Sequence, residues 1–159
     1  MPAFAINPVR SPEDLAATRT LFEAYAASLG INLSYQNFIE EMAAMPGKYA
    51  PPKGELLLAR SSDGAPLGCV GLRPLENKRC EMKRLYVTPQ GRGLGLGKAL
   101  AERIVEEARR SGYREMRLDT LPSLTAAIAL YDSMGFARIA AYYDTPIPGT
   151  IFMALPLHS

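Results

Sequence analysis

The heptapeptide Arg92-Gly93-Leu94-Gly95-Leu96-Gly97-Lys98 joins two segments of different periodicity. Residues 82–87 before it are apolar, β-branched and aromatic and read as a strand. Residues 96–110 after it carry Leu96, Leu100, Ile104 and Ala108 at helical spacing, with Ala101 and Val105 beside them. A strand, a glycine loop and a helix N-terminus together make an anion site. Glycine permits positive φ and close approach of the backbone to a ligand. The first helical amides lack intrahelical partners and point at the loop, where the helix dipole adds positive potential. Arg92 and Lys98 bracket the loop with two cations, so its natural guest is a diphosphate.

Two common diphosphate signatures fail here. Glycines at 91, 93, 95 and 97 never satisfy the G-x-G-x-x-G spacing of a dinucleotide fold. Gly97-Lys98 fits the end of a P-loop, but Arg92 stands where its first glycine belongs and Ala99 replaces the magnesium-binding hydroxyl. Arg92-x-x-Gly95-x-Gly97 instead resembles the R/Q-x-x-G-x-G/A signature of the GNAT-type N-acetyltransferase superfamily, which holds the pyrophosphate of acetyl-CoA. Two flanking segments extend the likeness. Leu85-Tyr86-Val87-x-Pro89 is similar to that family's fourth strand, and Ala129-Leu130-Tyr131-x-x-x-Gly135-Phe136 to its later A-L-Y-x-x-x-G-F motif. The resemblance covers nearly the whole chain and is strongest over 81–136.

Composition narrows the function classes. A chain of 159 residues suits one domain spanning 1–159, and 48% hydrophobic with 21% charged residues is an ordinary globular balance. Net charge is +2 with both signs interspersed, so nucleic acid and membrane surfaces have no electrostatic support as partners. No apolar run is long enough to span a bilayer, and no signal peptide is evident, which makes a cytoplasmic location the expectation. Cys69 and Cys80 are not at metal-ligand spacing and are expected as reduced thiols on adjacent strands. The single histidine, His158, excludes a Ser-His-Asp or Cys-His arrangement in an ordered site, and no metal site is expected.

Taken in order, residues 4–10 read as a strand. Ser11-Pro12-Glu13-Asp14 starts a helix, with Ser11 as N-cap and Gly30 as its stop. Residues 34–45 predict a second, shorter helix. Strands follow over 55–60, 67–75 and 80–87, with turns at Ser61-Ser62-Asp63-Gly64 and Glu76-Asn77-Lys78. After the glycine-loop helix come a strand at 116–119, a helix at 122–134, and closing strands at 136–141 and 151–157. This β-α-α-β-β-β-α-β-α-β-β order predicts an α/β fold with a mixed, mainly antiparallel sheet, and the resemblance implies the three-layer GNAT arrangement. Edge strands would allow a homodimer.

The resemblance implies acetyl-CoA as co-substrate, without a metal. Arg92, Gly93, Leu94, Gly95, Leu96, Gly97 and Lys98 would hold the diphosphate. Main-chain groups of Leu85, Tyr86 and Val87 would bond the pantetheine arm and the oxyanion. Many relatives carry Asn seven residues before the motif tyrosine; this chain has Leu124 there, and Thr125 or Ser123 would have to replace the contact. Acetyl transfer requires a deprotonated amine, and a lysine-like amine of pKa ~10.4 costs roughly 4–5 kcal/mol to deprotonate at neutral pH. Glu81 matches the glutamate that some relatives use as general base; the plain alternative is a surface carboxylate paired with Lys83 or Arg114. Tyr131 matches the tyrosine placed near the CoA sulfur, as acid or hydrogen-bond donor, unless it merely packs in the core. Arg73, Arg84, Tyr142 and Tyr143 are the candidates to contact the acceptor. Strand alternation predicts that Lys83 and Arg84 point to opposite faces. The expected reaction is acetylation of a primary amine on a small molecule or amino acid by direct attack in a ternary complex. A peptide or protein acceptor, and a non-catalytic acyl-CoA sensor, are the alternatives.

Overall fold

Ser11 caps the first helix as its sequence predicts: its hydroxyl accepts the Asp14 N–H at 3.1 Å, and Gly30 ends the helix at φ 66°. The computed structural model describes residues 3–30, 32–33 and 37–158. The elements run β1 Phe4–Pro8, α1 Pro12–Leu29, α2 Phe38–Ala44, β2 Glu55–Ser61, β3 Pro66–Pro74, β4 Arg79–Val87, α3 Leu96–Arg110, β5 Glu115–Thr120, α4 Thr125–Ser133, β6 Ala137–Ile139 and β7 Ile151–Pro156. Their order is the predicted one. The strands form a single sheet in the order β1-β2-β3-β4-β5-β7-β6. Every neighbouring pair is antiparallel except β4 and β5, which run parallel.

Alternation along the strands builds a layer on each face. Leu57 and Ala59 of β2 join a core with Leu96, Leu100 and Ile104 of α3 and Tyr131 of α4. Leu56 and Leu58 point the other way, into a core with Leu21 and Phe22 of α1 and Met42 of α2. Helix α3 buries Leu96, Leu100, Ala101, Ile104, Val105 and Ala108, the apolar stripe visible in its sequence. Cys69 on β3 and Cys80 on the adjacent β4 are buried free thiols.

Several boundaries differ from expectation; strand β1 ends at Pro8, two residues early. Helix α2 begins at Phe38; residues 34–36 of the predicted helix lie outside the described residues. Helix α4 begins at Thr125, not at Pro122, because 121–124 form a turn closed by the Leu124 N–H on the Leu121 carbonyl at 3.0 Å. Strand β6 begins after Phe136, whose N–H returns to the Tyr131 carbonyl at 3.0 Å to close the end of α4, and it stops at Ile139.

Two irregularities in the sheet create the site. Strands β4 and β5 pair only at Arg79–Glu115, Cys80–Met116 and Glu81–Arg117. Beyond Glu81 each strand stays paired to its other neighbour, so a gap opens between them. The second irregularity is a bulge. Gly71 of β3 faces Lys83, yet Cys69 faces Tyr86, so β4 holds one extra residue there. Arg84 takes up that residue with φ 61°, a left-handed conformation uncommon outside glycine. The bulge cancels the predicted alternation: Lys83 and Arg84 line the same cavity on the α1 side of the sheet.

Tyr49, 2% exposed, packs between α1 and β3, and Gly54 makes that packing possible. A Cβ on Gly54 would stand 2.3 Å from the Lys48 carbonyl oxygen and 2.5 Å from the Tyr49 carbonyl carbon. Backbone cannot yield as a flexible side chain would. Gly54→Ala is therefore expected to cost about 3 kcal/mol or more. Urea unfolding checks this, and a cost below about 1 kcal/mol would show that the segment relaxes freely.

Candidate active site

The glycine loop delivers the backbone that its sequence promised. Gly93 and Gly95 adopt φ 82° and 73°, and Gly95 is the N-cap of α3 with no side-chain cap hydrogen bond. The first backbone bond into the loop comes from Ala99 N–H to the Gly95 carbonyl at 3.1 Å, which leaves the amides of Leu96, Gly97 and Lys98 for a ligand. At Gly97 an added Cβ would meet only Val87 Cγ2, at 3.8 Å. Protein packing thus does not require glycine there. The space in front of the helix end is open, as an anion site there would require.

A cleft of about 580 Å³ runs from this loop between β4 and the N-terminal end of α4. Leu85, Tyr86 and Val87 form one wall, and Ser123, Leu124 and Thr125 form part of the other. Arg92, Gly97 and Lys98 close the glycine-loop end, while Tyr25 of α1 lies against the cleft as well. Gly93, Leu94 and Gly95 are exposed loop residues beside the lining. The Leu96 side chain turns inward to the core at 1% exposure, so only its backbone can serve a ligand. Tyr131 is 6% exposed, its ring 5.6 Å from that of Phe136. Burial, with smaller contributions from Tyr25 and Asp119, raises its pKa and keeps the phenol protonated at neutral pH.

On the α1 side of the gap the polar residues gather on three carboxylates, Glu81, Glu41 and Asp119. Glu81 is 1% exposed, inside β4 and away from the surface. Arg73 Nε donates to its Oε1 at 2.7 Å and the Tyr142 hydroxyl to its Oε2 at 2.5 Å. Arg114, the other partner considered for Glu81, donates to the Asn77 carbonyl instead. Burial works to raise the Glu81 pKa, but the charges of Lys83 and Arg73 and the two hydrogen bonds outweigh it and hold the carboxyl below its usual value. Burial pulls the Lys83 pKa down, against the opposing pull of Glu81 and Asp119. Arg84 bonds Glu41 of α2, at 3.2 Å from Nη2 and 3.4 Å from Nε, and its guanidinium lies 5.1 Å over the Phe38 ring. The Tyr49 hydroxyl donates to the same Glu41 at 2.9 Å. The Tyr143 hydroxyl donates to Asp119, and the rings of Tyr142 and Tyr143 pack edge-on against Phe152.

The four expected acceptor residues are held by carboxylates: Arg73 and Tyr142 on Glu81, Arg84 on Glu41, and Tyr143 on Asp119; of the four only Arg84 lines the cavity beside the cleft, and none lines the cleft itself. Tyr25, Glu41, Lys83 and Asp119 complete the site without having been singled out as its members by sequence reasoning. Tyr25 showed only as part of an apolar helical stripe. No local pattern indicates that the end of α1 crosses the bulge in β4.

The depressed pKa of Glu81 has a consequence for stability. A carboxyl whose pKa is lower folded than unfolded stabilises the fold fully above its unfolded value, near ~4.3, and that contribution is lost as pH falls through the folded value. Urea midpoints measured downward from about pH 6 should fall below about pH 4.5, and Glu81→Gln should flatten that part of the profile. An unchanged profile in the variant would mean that other carboxyls carry the acid sensitivity.

Comparisons with known proteins agree with this geometry. The sequence model of the Acetyltransferase (GNAT) family matches residues 19–136. An uncharacterized N-acetyltransferase of Schizosaccharomyces pombe is 42% identical over 154 residues, covering 96% of this chain and 94% of that protein. One from Dictyostelium discoideum is 32% identical, covering 87% of this chain and 92% of its own. A Klebsiella pneumoniae protein assigned as an acyl-CoA N-acyltransferase superposes with a TM-score of 0.77 at 29% identity, covering 98% of both chains. The chain belongs to the GNAT acetyltransferase family and is an acetyl-CoA-dependent acyltransferase. Among the described residues no helix is long and apolar enough to cross a membrane.

Proposed function

We propose that this chain, as one catalytic domain over 1–159, acetylates the primary amine of a small molecule or amino acid by direct attack in a ternary complex. The observation that carries this reading is the small cavity beside the cleft. That cavity, lined by Tyr25, Lys83, Arg84, Asp119 and Thr120, is polar and holds about 30 Å³, which suits the amine of a small acceptor, whereas a peptide acceptor would need an open groove. Both cysteines are buried, and neither lines the cleft, which favours direct attack over a covalent acetyl-enzyme. Reduced thiols are also in keeping with a cytoplasmic location.

In this reading the bound co-substrate supplies the activated acetyl group as a thioester. Backbone amides of α3, with Arg92 and Lys98, hold the diphosphate. Main-chain groups of Leu85 to Val87 fix the arm in the gap and offer an N–H to the oxyanion near Tyr86 or Val87. Tyr131, held protonated by burial, is the donor to the departing thiolate. Thr125 and Ser123, on the cleft wall beside Leu124, take the contact that asparagine makes in many relatives. Glu81 has both oxygens engaged, and its role is to fix Arg73, Lys83 and Tyr142 around the gap.

Thiol release from acetyl-CoA, compared across pools of amino acids, polyamines, aminoglycosides and short peptides, tests the acceptor class. Release confined to small-molecule pools is expected. Release with peptides alone would overturn the small-molecule reading.

A further inference from the structure

Glu81 lines neither the cleft nor the cavity beside it. Asp119 is placed differently. It lies near the end of β5, just past Arg117, where pairing with β4 has ended and the gap has opened. It lines a cavity of about 30 Å³ together with Lys83, Arg84, Thr120 and Tyr25. Tyr25 also lines the cleft, so this cavity adjoins the place where the thioester would emerge through the gap. Asp119 Oδ2 accepts the Tyr143 hydroxyl, while Oδ1 accepts no hydrogen bond from a described residue. The ionisable groups around it come from every neighbouring element: Lys83 and Arg84 on β4, Tyr25 on α1, Tyr131 on α4, and Tyr142 and Tyr143 ahead of β7. Tyr131, in the core behind the cleft, is close enough to feel the charge of Asp119.

We propose that Asp119 is the catalytic carboxylate for the acceptor: it seats the ammonium group of a primary amine in this cavity and receives the first proton that the amine sheds. The assignment rests on the acetyltransferase reading above. The cavity has room for about one water-sized group, which suits an unsubstituted ammonium with the rest of the acceptor outside. Asp119 attracts that ammonium, and the neighbouring Lys83 cation makes it easier to deprotonate. One N–H proton passes to Asp119 and on to solvent. The nitrogen lone pair forms the bond to the thioester carbon, and the carbon–sulfur bond breaks with its electron pair on sulfur. The Tyr131 hydroxyl protonates the thiolate and is reset by the second proton from the acetylated nitrogen. The balance is one ammonium and one thioester in, and one amide, one thiol and one proton out.

The test uses the most active amine found among L-amino acids and polyamines, with CoA titration as the check on folding. Asp119→Asn should bind CoA as the wild type does and lose about 100-fold or more in kcat/KM near neutral pH. The deficit should shrink toward about pH 10, where the acceptor deprotonates itself. Asp119→Glu should recover part of the loss. Glu81→Gln, acting only through position, should show a deficit that does not change with pH. An Asp119→Asn variant within about threefold of wild type, or one whose deficit is the same at every pH, would overturn the assignment. A wild type that binds CoA but transfers to no amine would overturn the acetyltransferase reading itself, and this proposal with it.

Discussion

Gly95→Glu should abolish CoA binding while leaving the fold in place. Gly95 is the N-cap of α3 at φ 73°, a conformation that costs a non-glycine residue roughly 1–2 kcal/mol. An acidic group at a helix N-terminus recovers part of that through the helix dipole, about 0.3–1 kcal/mol. No protein atom lies within 4 Å of a Cβ added at Gly95, so the side chain meets no steric conflict in the protein. It would instead enter the space of the diphosphate, with a charge of the same sign. The expected loss is about 100-fold or more in affinity, roughly 3 kcal/mol, alongside a stability change of about 1 kcal/mol. Titration calorimetry with CoA, paired with a urea midpoint, separates the two effects. Retained affinity would remove the loop from the binding site.

Glu81→Ala should be among the most destabilising single changes in this sheet. The carboxylate is the acceptor for Arg73 and Tyr142 and the larger of the two negative charges that compensate the buried Lys83. Removing it leaves Arg73 and the Tyr142 hydroxyl without this acceptor and takes from Lys83 one of its two compensating charges. Breaking a buried ion pair from one side costs about 3–5 kcal/mol. Because the Arg73 side chain keeps 25% exposure, the lower end of that range, about 3 kcal/mol, is expected. Denaturant unfolding measures it directly. A cost below about 1 kcal/mol would mean that water or a side-chain rearrangement satisfies Arg73 and Lys83.

The two halves of the site were unequally legible in the sequence because they are built from contacts of different range. The diphosphate end is local. Strand, glycines and helix follow one another within 82–110, and the proposed ligand contacts fall on backbone, so spacing alone announces them. The acceptor side is assembled from segments far apart in the chain: Glu41 meets Arg84 across 43 positions, Glu81 meets Tyr142 across 61, and Asp119 meets Tyr143 across 24. Pattern within any one segment cannot report such meetings. The bulge at Arg84 shows the same limit, since no glycine or proline marks it and simple alternation sends Arg84 to the wrong face. At α4, Pro122 looked like a first helical residue but sits in the turn ahead of the helix. Proline fits both positions, and only the tertiary path selects between them.

The most direct test of the whole account is amine-dependent thiol release from acetyl-CoA, measured side by side for the wild type and Gly95→Glu with both proteins shown to be folded. The account predicts release that requires both amine and acetyl-CoA in the wild type, and none in the variant. Equal release by the two proteins would place the chemistry outside the cleft between β4 and α4, and no amine-dependent release by the wild type would contradict the proposed reaction.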